Sequence, residues 1–338
     1  MPPKYAVLGR EEVVRAVERK GPGPVPTFAC TWWGEGLEEQ YGPRLDELAE
    51  RYPDDVVMVQ PPLPDWENFP YSWKKGATAA VRGHDAAAIL PDWRHLDEFI
   101  AASPKVESLD WSASIAKARA AREAGRYVLA RFWCLFFERP WKIRGMQDLM
   151  FDYYDHPREV HRLHAYLRDT YIALYTRARD EFAPDAIQAS DDLGNQRALN
   201  ITPAQFRGFL KPYYADVLRA VRRLGMHLWL HSCGNNTDVM EDLIEVGVDV
   251  FHPVQKHTMD WAETVRRYGG RISWWAGFDV QHLLQEGTPD AVRAEVREMV
   301  RVFRRPDGGL VLGAGNGITA GTPFDNIAAF LDEAHAQR

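Results

Sequence analysis

Four consecutive residues, His231-Ser232-Cys233-Gly234, carry the clearest chemical potential in the chain. Side chains alternate along an extended strand, so a histidine and a cysteine two apart point the same way. Imidazole and thiolate are good zinc ligands. Upstream, Asp191-Asp192-Leu193-Gly194 offers two adjacent carboxylates. Neighbouring carboxylates repel, so one of them is expected to take a raised pKa and to serve as acid or base. A helix-capping aspartate beside a solvated one is the alternative. His252-Pro253-Val254-Gln255 can hold a substrate carboxylate or amide, or simply be structural. Gly313-Ala314-Gly315-Asn316-Gly317 matches neither the phosphate-loop nor the dinucleotide fingerprint, and reads as a tight turn with close backbone approach.

These residues share a position. Each follows a short apolar run, and each run is followed by a helical pattern. Eight runs are read as strands: Val25–Thr31, Asp55–Gln60, Tyr127–Cys134, Ala186–Ser190, His227–His231, Val248–His252, Ile272–Gly277 and Leu310–Gly313. Most are apolar throughout, as parallel strands buried on both faces are. Between them lie helical patterns such as Met146–Arg179, Pro203–Leu224 and Pro289–Phe303. Thr202-Pro203, Thr288-Pro289 and Thr322-Pro323 each place a capping hydroxyl before a proline, a helix-start signal. Strands alternating with helices imply a parallel α/β fold, and eight repeats favour a (β/α)8 TIM barrel.

Catalytic groups of such a barrel gather where strands end. The strand ends here supply Cys30, Gln60, Cys134 and Glu138, Asp191 and Asp192, His231 and Cys233, His252 and Gln255, Asp279, and Asn316. Trp32, Trp33, Trp274 and Trp275 suggest an aromatic-lined pocket, with core packing as the alternative.

The chain has 338 residues, 46% hydrophobic and 26% charged, which suits one domain spanning 1–338. The segment 61–110, rich in Pro, Trp and Asp, is expected to be an insertion after the second strand, a lid or a surface excursion. A net charge of −7 argues against nucleic acid or an anionic membrane as partner. Three cysteines give no disulfide framework and fit a reducing cytoplasm. No apolar signal core or membrane-length apolar run is present.

Together, His231-Ser232-Cys233-Gly234-Asn235, Leu243 to Asp249 and His252-Pro253-Val254-Gln255 resemble the uroporphyrinogen decarboxylase superfamily, which includes zinc-dependent methyltransferases of corrinoid systems. Phe137-Glu138-Arg139, Asp191 to Gln196, Asp279-Val280-Gln281 and the stretch from Gly308 to Ile327 extend the resemblance over roughly 125–335. It implies a (β/α)8 barrel. The arginine cluster that grips a porphyrinogen's carboxylates is lacking around Thr27–Glu35, which disfavours that substrate. The methyltransferase branch holds zinc by a His, a Cys two residues on and a later Cys. His231 and Cys233 match the first two, whereas Asn316 stands at the third. Cys30, Asp192, His252, Glu138 and Asp279 are the replacements, Cys30 being favoured by ligand chemistry and Asp192 by strand proximity.

The resemblance therefore implies a zinc-dependent methyl or alkyl transferase for a small substrate, served by a corrinoid protein and pairing as a homodimer. Asp191, Asp192 and His231 would be catalytic. Trp32, Trp33, Glu138, Gln196, His252, Gln255, Asp279 and Asn316 would line the substrate site. A metal-independent decarboxylase or lyase of a small carboxylic acid is the second enzyme reading. A non-catalytic binding module is the third reading.

Overall fold

A computed structural model of the chain describes residues 3–29, 33–73 and 88–338. Its centre is a seven-stranded, all-parallel sheet in sequential order: β1 (Val56–Val59), β2 (Tyr127–Phe132), β3 (Ala186–Ser190), β4 (His227–His231), β5 (Val250–His252), β6 (Ser273–Phe278) and β7 (Leu310–Ala314). Parallel strands need crossovers, and the helices supply them. Seven of the eight predicted strands are present: β3 and β4 with the expected bounds, β1, β2 and β5 shorter, and β6 and β7 each running one residue further.

The first predicted strand is not one. Residues 25–29 form a single bridge, Thr27 to Leu312, although they touch both sheet edges. The Phe28 amide donates to Leu312 O (2.8 Å) and the Leu312 amide to Pro26 O (2.9 Å), while the Asp55 amide donates to Thr27 O (2.8 Å). Pro24 and Pro26 lack the N–H donors that a continuous ladder requires. The sheet thus curls until one proline-interrupted segment spans β1 and β7.

Side chains alternate across this curled sheet and divide the core in two. Inside lie Phe28, Tyr127, Leu129, Trp229, Val250, Trp275 and Val311. Outside, between sheet and helices, lies the larger cluster that includes Phe132, Phe251 and Trp274. Neighbouring tryptophans therefore part company. Trp274 packs outward on Phe303 (6.2 Å), and Trp275 points inward onto Phe28 (4.6 Å). The expectation that Trp274 lines a substrate pocket is thereby corrected.

Several predicted helices break where the sequence places Gly or Pro. The Met146–Arg179 pattern becomes Met146–Asp155 and Pro157–Phe182, separated at His156. Pro203–Leu224 becomes Pro203–Gln205, a π-helical turn Phe206–Leu210 and Lys211–Arg223. Thr202 and Thr288 cap as expected, accepting from the amides of Gln205 and Ala291. Thr322 does not. Its hydroxyl donates to Thr319 O, and the helix starts one residue later, at Phe324.

The described parts of 61–110 pack on the outer helices. Trp66 Nε1 donates to Tyr166 Oη (3.0 Å) and Trp93 Nε1 to Asp152 Oδ1 (2.9 Å). Residues 74–87 of this segment lie outside the described residues.

The inner core leaves no room at Gly313, where a Cβ would sit 2.0 Å from Trp275 Nε1 and 2.6 Å from Phe28 O. Gly208, by contrast, has open space around it. Gly313→Ala is expected to destabilise the fold by about 1–3 kcal/mol through overpacking. Gly208→Ala should be neutral or stabilise by about 0.4–1 kcal/mol. Thermal unfolding checks this, and equal melting shifts for the two variants would contradict the packing described.

Candidate metal centre at the carboxyl ends of the strands

Strand β4 ends at His231, and extended backbone carries the chain on through Ser232 to Cys233. Alternation turns Ser232 away from its neighbours. It is fully buried, donates to Asn236 Oδ1 (2.9 Å) and accepts from the Leu193 amide (3.1 Å), tying the β3 and β4 exit loops together. Gly234 has φ +82°, and a Cβ there would lie 2.3 Å from the carbonyl carbon of Gly194. Only glycine allows this backbone contact between the loops.

That contact brings Asp192 to the β4 loop. Its Oδ1 accepts from the Cys233 amide (2.8 Å) and lies 3.6 Å from His231 Nε2. Cys233 Sγ lies 3.3 Å from the same nitrogen. One ligand atom from each of Asp192, His231 and Cys233 thus falls within 4.8 Å of the others.

The proton positions follow from the neighbours. His252 Nε2 faces the Ala314 carbonyl at 2.9 Å, so it must carry the proton and donate. Burial pushes both imidazoles down, so both are neutral at neutral pH. His252 Nδ1 is then an acceptor, and the proton on its 2.7 Å contact with His231 Nδ1 belongs to His231. His231 Nε2 is left with a bare lone pair, aimed at Cys233 and Asp192. Burial pushes the Cys233 thiol up, so its proton stands between the sulfur and this lone pair; with that proton displaced, a lone pair, a carboxylate and a thiolate would each offer a cation one ligand atom.

The spacing suits zinc. Tetrahedral bonds of about 2.1 Å to N or O and about 2.3 Å to S place ligand atoms roughly 3.4–3.6 Å apart. The observed 3.3 and 3.6 Å need little adjustment. Asn316 reaches the cluster as a donor instead, with Nδ2 3.4 Å from Cys233 Sγ and Oδ1 accepting from the Gly317 amide (2.8 Å). Of the two favoured third ligands, Asp192 is in the cluster, and Cys30 lies outside the described residues.

The adjacent carboxylates diverge. Asp191 is wholly buried and accepts from the amides of Phe136, Phe137 and Glu138 (2.6–3.1 Å) and from Tyr214 Oη (2.7 Å). Burial pushes its carboxyl up to about 7 against those donors. The cause is desolvation, where the sequence had suggested repulsion from Asp192. Asp191 holds the β2 exit in place while Asp192 faces the cluster. Glu138, on that exit, accepts a short hydrogen bond from the Ser190 hydroxyl. Its carboxyl is raised by burial first, then by the charges of Asp192 and Asp191.

The remaining expected substrate contacts are spread out. His252 uses both ring nitrogens internally and stacks on Trp275 at 3.9 Å. Gln255 Oε1 accepts from the Gly234 amide (2.7 Å). Gln196 and Gln255 share a narrow cleft with Asp279. Trp33 bridges to Ile318, and Trp32 lies outside the described residues.

Beside Trp275 of the expected aromatic pocket, two residues not singled out from sequence belong to this region. Trp275 floors it, Trp133 meets the His231 ring edge-on at 6.3 Å, and Arg131 lies buried over Trp133 at 4.6 Å. Arg131 Nε donates to Gln188 Oε1 (2.6 Å), and burial lowers its pKa to about 10. The signal was present: an arginine inside the otherwise apolar run Tyr127–Phe132 requires a buried partner.

Comparison with known proteins follows the same region. A family model for uroporphyrinogen decarboxylase (URO-D) matches residues 142–337. A uroporphyrinogen decarboxylase from Crocosphaera subtropica is 28% identical over 183 residues, which is 54% of this chain and 48% of that protein. Uroporphyrinogen decarboxylase 2, chloroplastic, from Arabidopsis thaliana is 28% identical over 180 residues, 52% of this chain and 43% of that one. The chain thus spans about half the length of the curated relatives it matches. Among solved structures, a methyltransferase from Methanosarcina mazei superposes with a TM-score of 0.67, covering 97% of this chain and 98% of that one. At 17% identity, that likeness is one of fold. With the family match spanning more than half its length and both strand-exit loops that carry Asp192, His231 and Cys233, this chain belongs to the uroporphyrinogen decarboxylase family.

Proposed function

We propose that this protein is a zinc-dependent methyl or alkyl transferase acting on a small substrate, on a single-domain (β/α)8-type barrel. The observation that carries the reading is the convergence of Asp192, His231 and Cys233 about a histidine lone pair bared by its own hydrogen-bond chain. His231 Nε2, Cys233 Sγ and an Asp192 oxygen would hold the ion. Zinc there supplies a positive charge that keeps a substrate thiol ionised near neutral pH, or polarises an ether oxygen.

The chain's own groups do the rest. His252 fixes the His231 lone pair, a duty of the outer partners of metal ligands. Asn316 donates to the Cys233 sulfur and so stabilises its thiolate. Glu138 is protonated near neutral pH. With Oε2 engaged by Ser190, its proton sits on Oε1, where it serves a leaving group or a returning base. Asp191 acts by positioning the Glu138 backbone. A corrinoid protein as methyl carrier would dock at the same mouth.

A second reading, metal-independent decarboxylation of a small acid, draws support from the relatives' names and from Arg131. A buried guanidinium whose charge reaches His231 is a suitable counter-charge for a carboxylate.

Elemental analysis of the purified, untagged protein separates the two. The transferase reading expects near one zinc retained per chain through the cluster and its loss in His231→Ala/Cys233→Ala. Metal-free, well-folded protein in both cases would sink it and leave decarboxylation. His252→Ala, which removes no ligand, is expected to weaken zinc binding about 10–100-fold in a chelator competition. Unchanged affinity would contradict the role given to the imidazole pair.

A further inference from the structure

A second convergence of ligand atoms lies on the β5 and β6 exit loops and takes no part in the centre described above. His257, Asp279 and His282 each offer one ligand atom, all within 4.8 Å of one another. His257 Nε2 lies 3.2 Å from Asp279 Oδ2, and His282 Nδ1 lies 3.3 Å from Asp279 Oδ1. The two imidazoles stand edge to face at 4.8 Å.

The three residues are held very differently. The Asp279 side chain is 8% exposed, and its carboxylate accepts from the amides of Gln281 (3.0 Å), His282 (3.2 Å) and Leu283 (3.3 Å). It is therefore a fixed, ionised anchor. The imidazoles are 56% and 59% exposed, and the hydrogen bonds recorded for their ring nitrogens go to Asp279. Little else accounts for two half-solvated imidazoles facing one buried carboxylate. A bare hydrogen bond at such exposure is a weak restraint.

We infer that His257, Asp279 and His282 form a second metal site, selective for a divalent transition ion of the zinc class. The ligand set decides the class: two imidazoles and one carboxylate suit zinc, nickel or cobalt better than magnesium or calcium, which prefer oxygen. Ligand atoms about a tetrahedral ion with bonds near 2.1 Å lie about 3.4 Å apart; each imidazole stands near that spacing from its own Asp279 oxygen, and one ligand atom from each residue falls within 4.8 Å of the others. Three protein ligands leave a position for water or a ligand oxygen, as open sites do. A cavity of about 360 Å³ adjoins the cluster, bounded also by Lys256, Glu286 and Glu295. Its place on two strand-exit loops puts it at the rim of the mouth that the proposed transferase centre occupies.

The site is tested by zinc binding stoichiometry in chelator-treated protein titrated with zinc sulfate, comparing wild type with His257→Ala/His282→Ala. The expected result is one equivalent fewer in the variant. This difference holds whether or not the Cys233 centre binds, so failure of the transferase reading leaves the test intact. Equal stoichiometry in the two proteins, including none in either, overturns the inference. The same comparison in a His231→Ala/Cys233→Ala background should read one equivalent against none. Both substituted histidines are half-exposed, so the metal-free variant should melt with the wild type. A variant that instead melts earlier by several degrees makes these histidines structural and also counts against the site.

Discussion

The hydrogen bond from His252 Nε2 to the Ala314 carbonyl governs the chemistry of the whole cluster. It joins the end of β5 to the end of β7 across the inside of the sheet. The parallel register sets His252 beside His231, so the tautomer imposed by Ala314 passes to the next strand. The lone pair of His231 Nε2 is in this sense a product of sheet topology. Beneath, Trp275 stacks on His252 and donates through Nε1 to Phe28 O (3.1 Å), filling the space that Gly313 leaves. The floor is rigid because it is fully packed, and an imidazole held from below and behind cannot rotate to present its other nitrogen.

The second constraint is the backbone contact between Gly194 and Gly234. Without it, Asp192 on the β3 exit would have no reason to meet Cys233 on the β4 exit. The contact also explains how adjacent carboxylates serve different ends. Asp191, spent on four donors, fastens the β2 exit with Glu138 on it, and the next residue along the extended chain faces the cluster. Three strand exits are thereby locked to one another, each by a hydrogen bond or contact that only the residue present can make.

Much of this was legible in the sequence. Seven strands and the gathering of Asp192, His231 and Cys233 followed from apolar runs ending in polar residues. Asn316 beside the sulfur followed from its place in the family pattern. What was hidden has physical causes. Strands buried on both faces carry no polar alternation, so Trp274 and Trp275 could not be told apart by pattern. Prolines at 24 and 26 reduced an apparent strand to a bridge, a cost visible in the sequence but outweighed by the apolar residues around it. The directions of Asp191 and Asp192 depend on amides of two distant loops, those of Phe137 and Glu138 for the first and that of Cys233 for the second. The meeting of His257 with His282 is equally non-local, since each sits on a loop whose spacing from the other is set by the helix Trp261–Tyr268 and by β6.

The most direct test of the account is the protonation of the two central imidazoles, read by long-range proton–nitrogen NMR on chelator-treated protein labelled with ¹⁵N-histidine. The chain has 11 histidines, and loss of signals in His231→Ala and His252→Ala assigns the pair. The account predicts His231 protonated at Nδ1 with Nε2 bare, and His252 protonated at Nε2 with Nδ1 bare. A proton on His231 Nε2 would contradict it, because the nitrogen facing Cys233 and Asp192 would then be a donor with no lone pair for a metal.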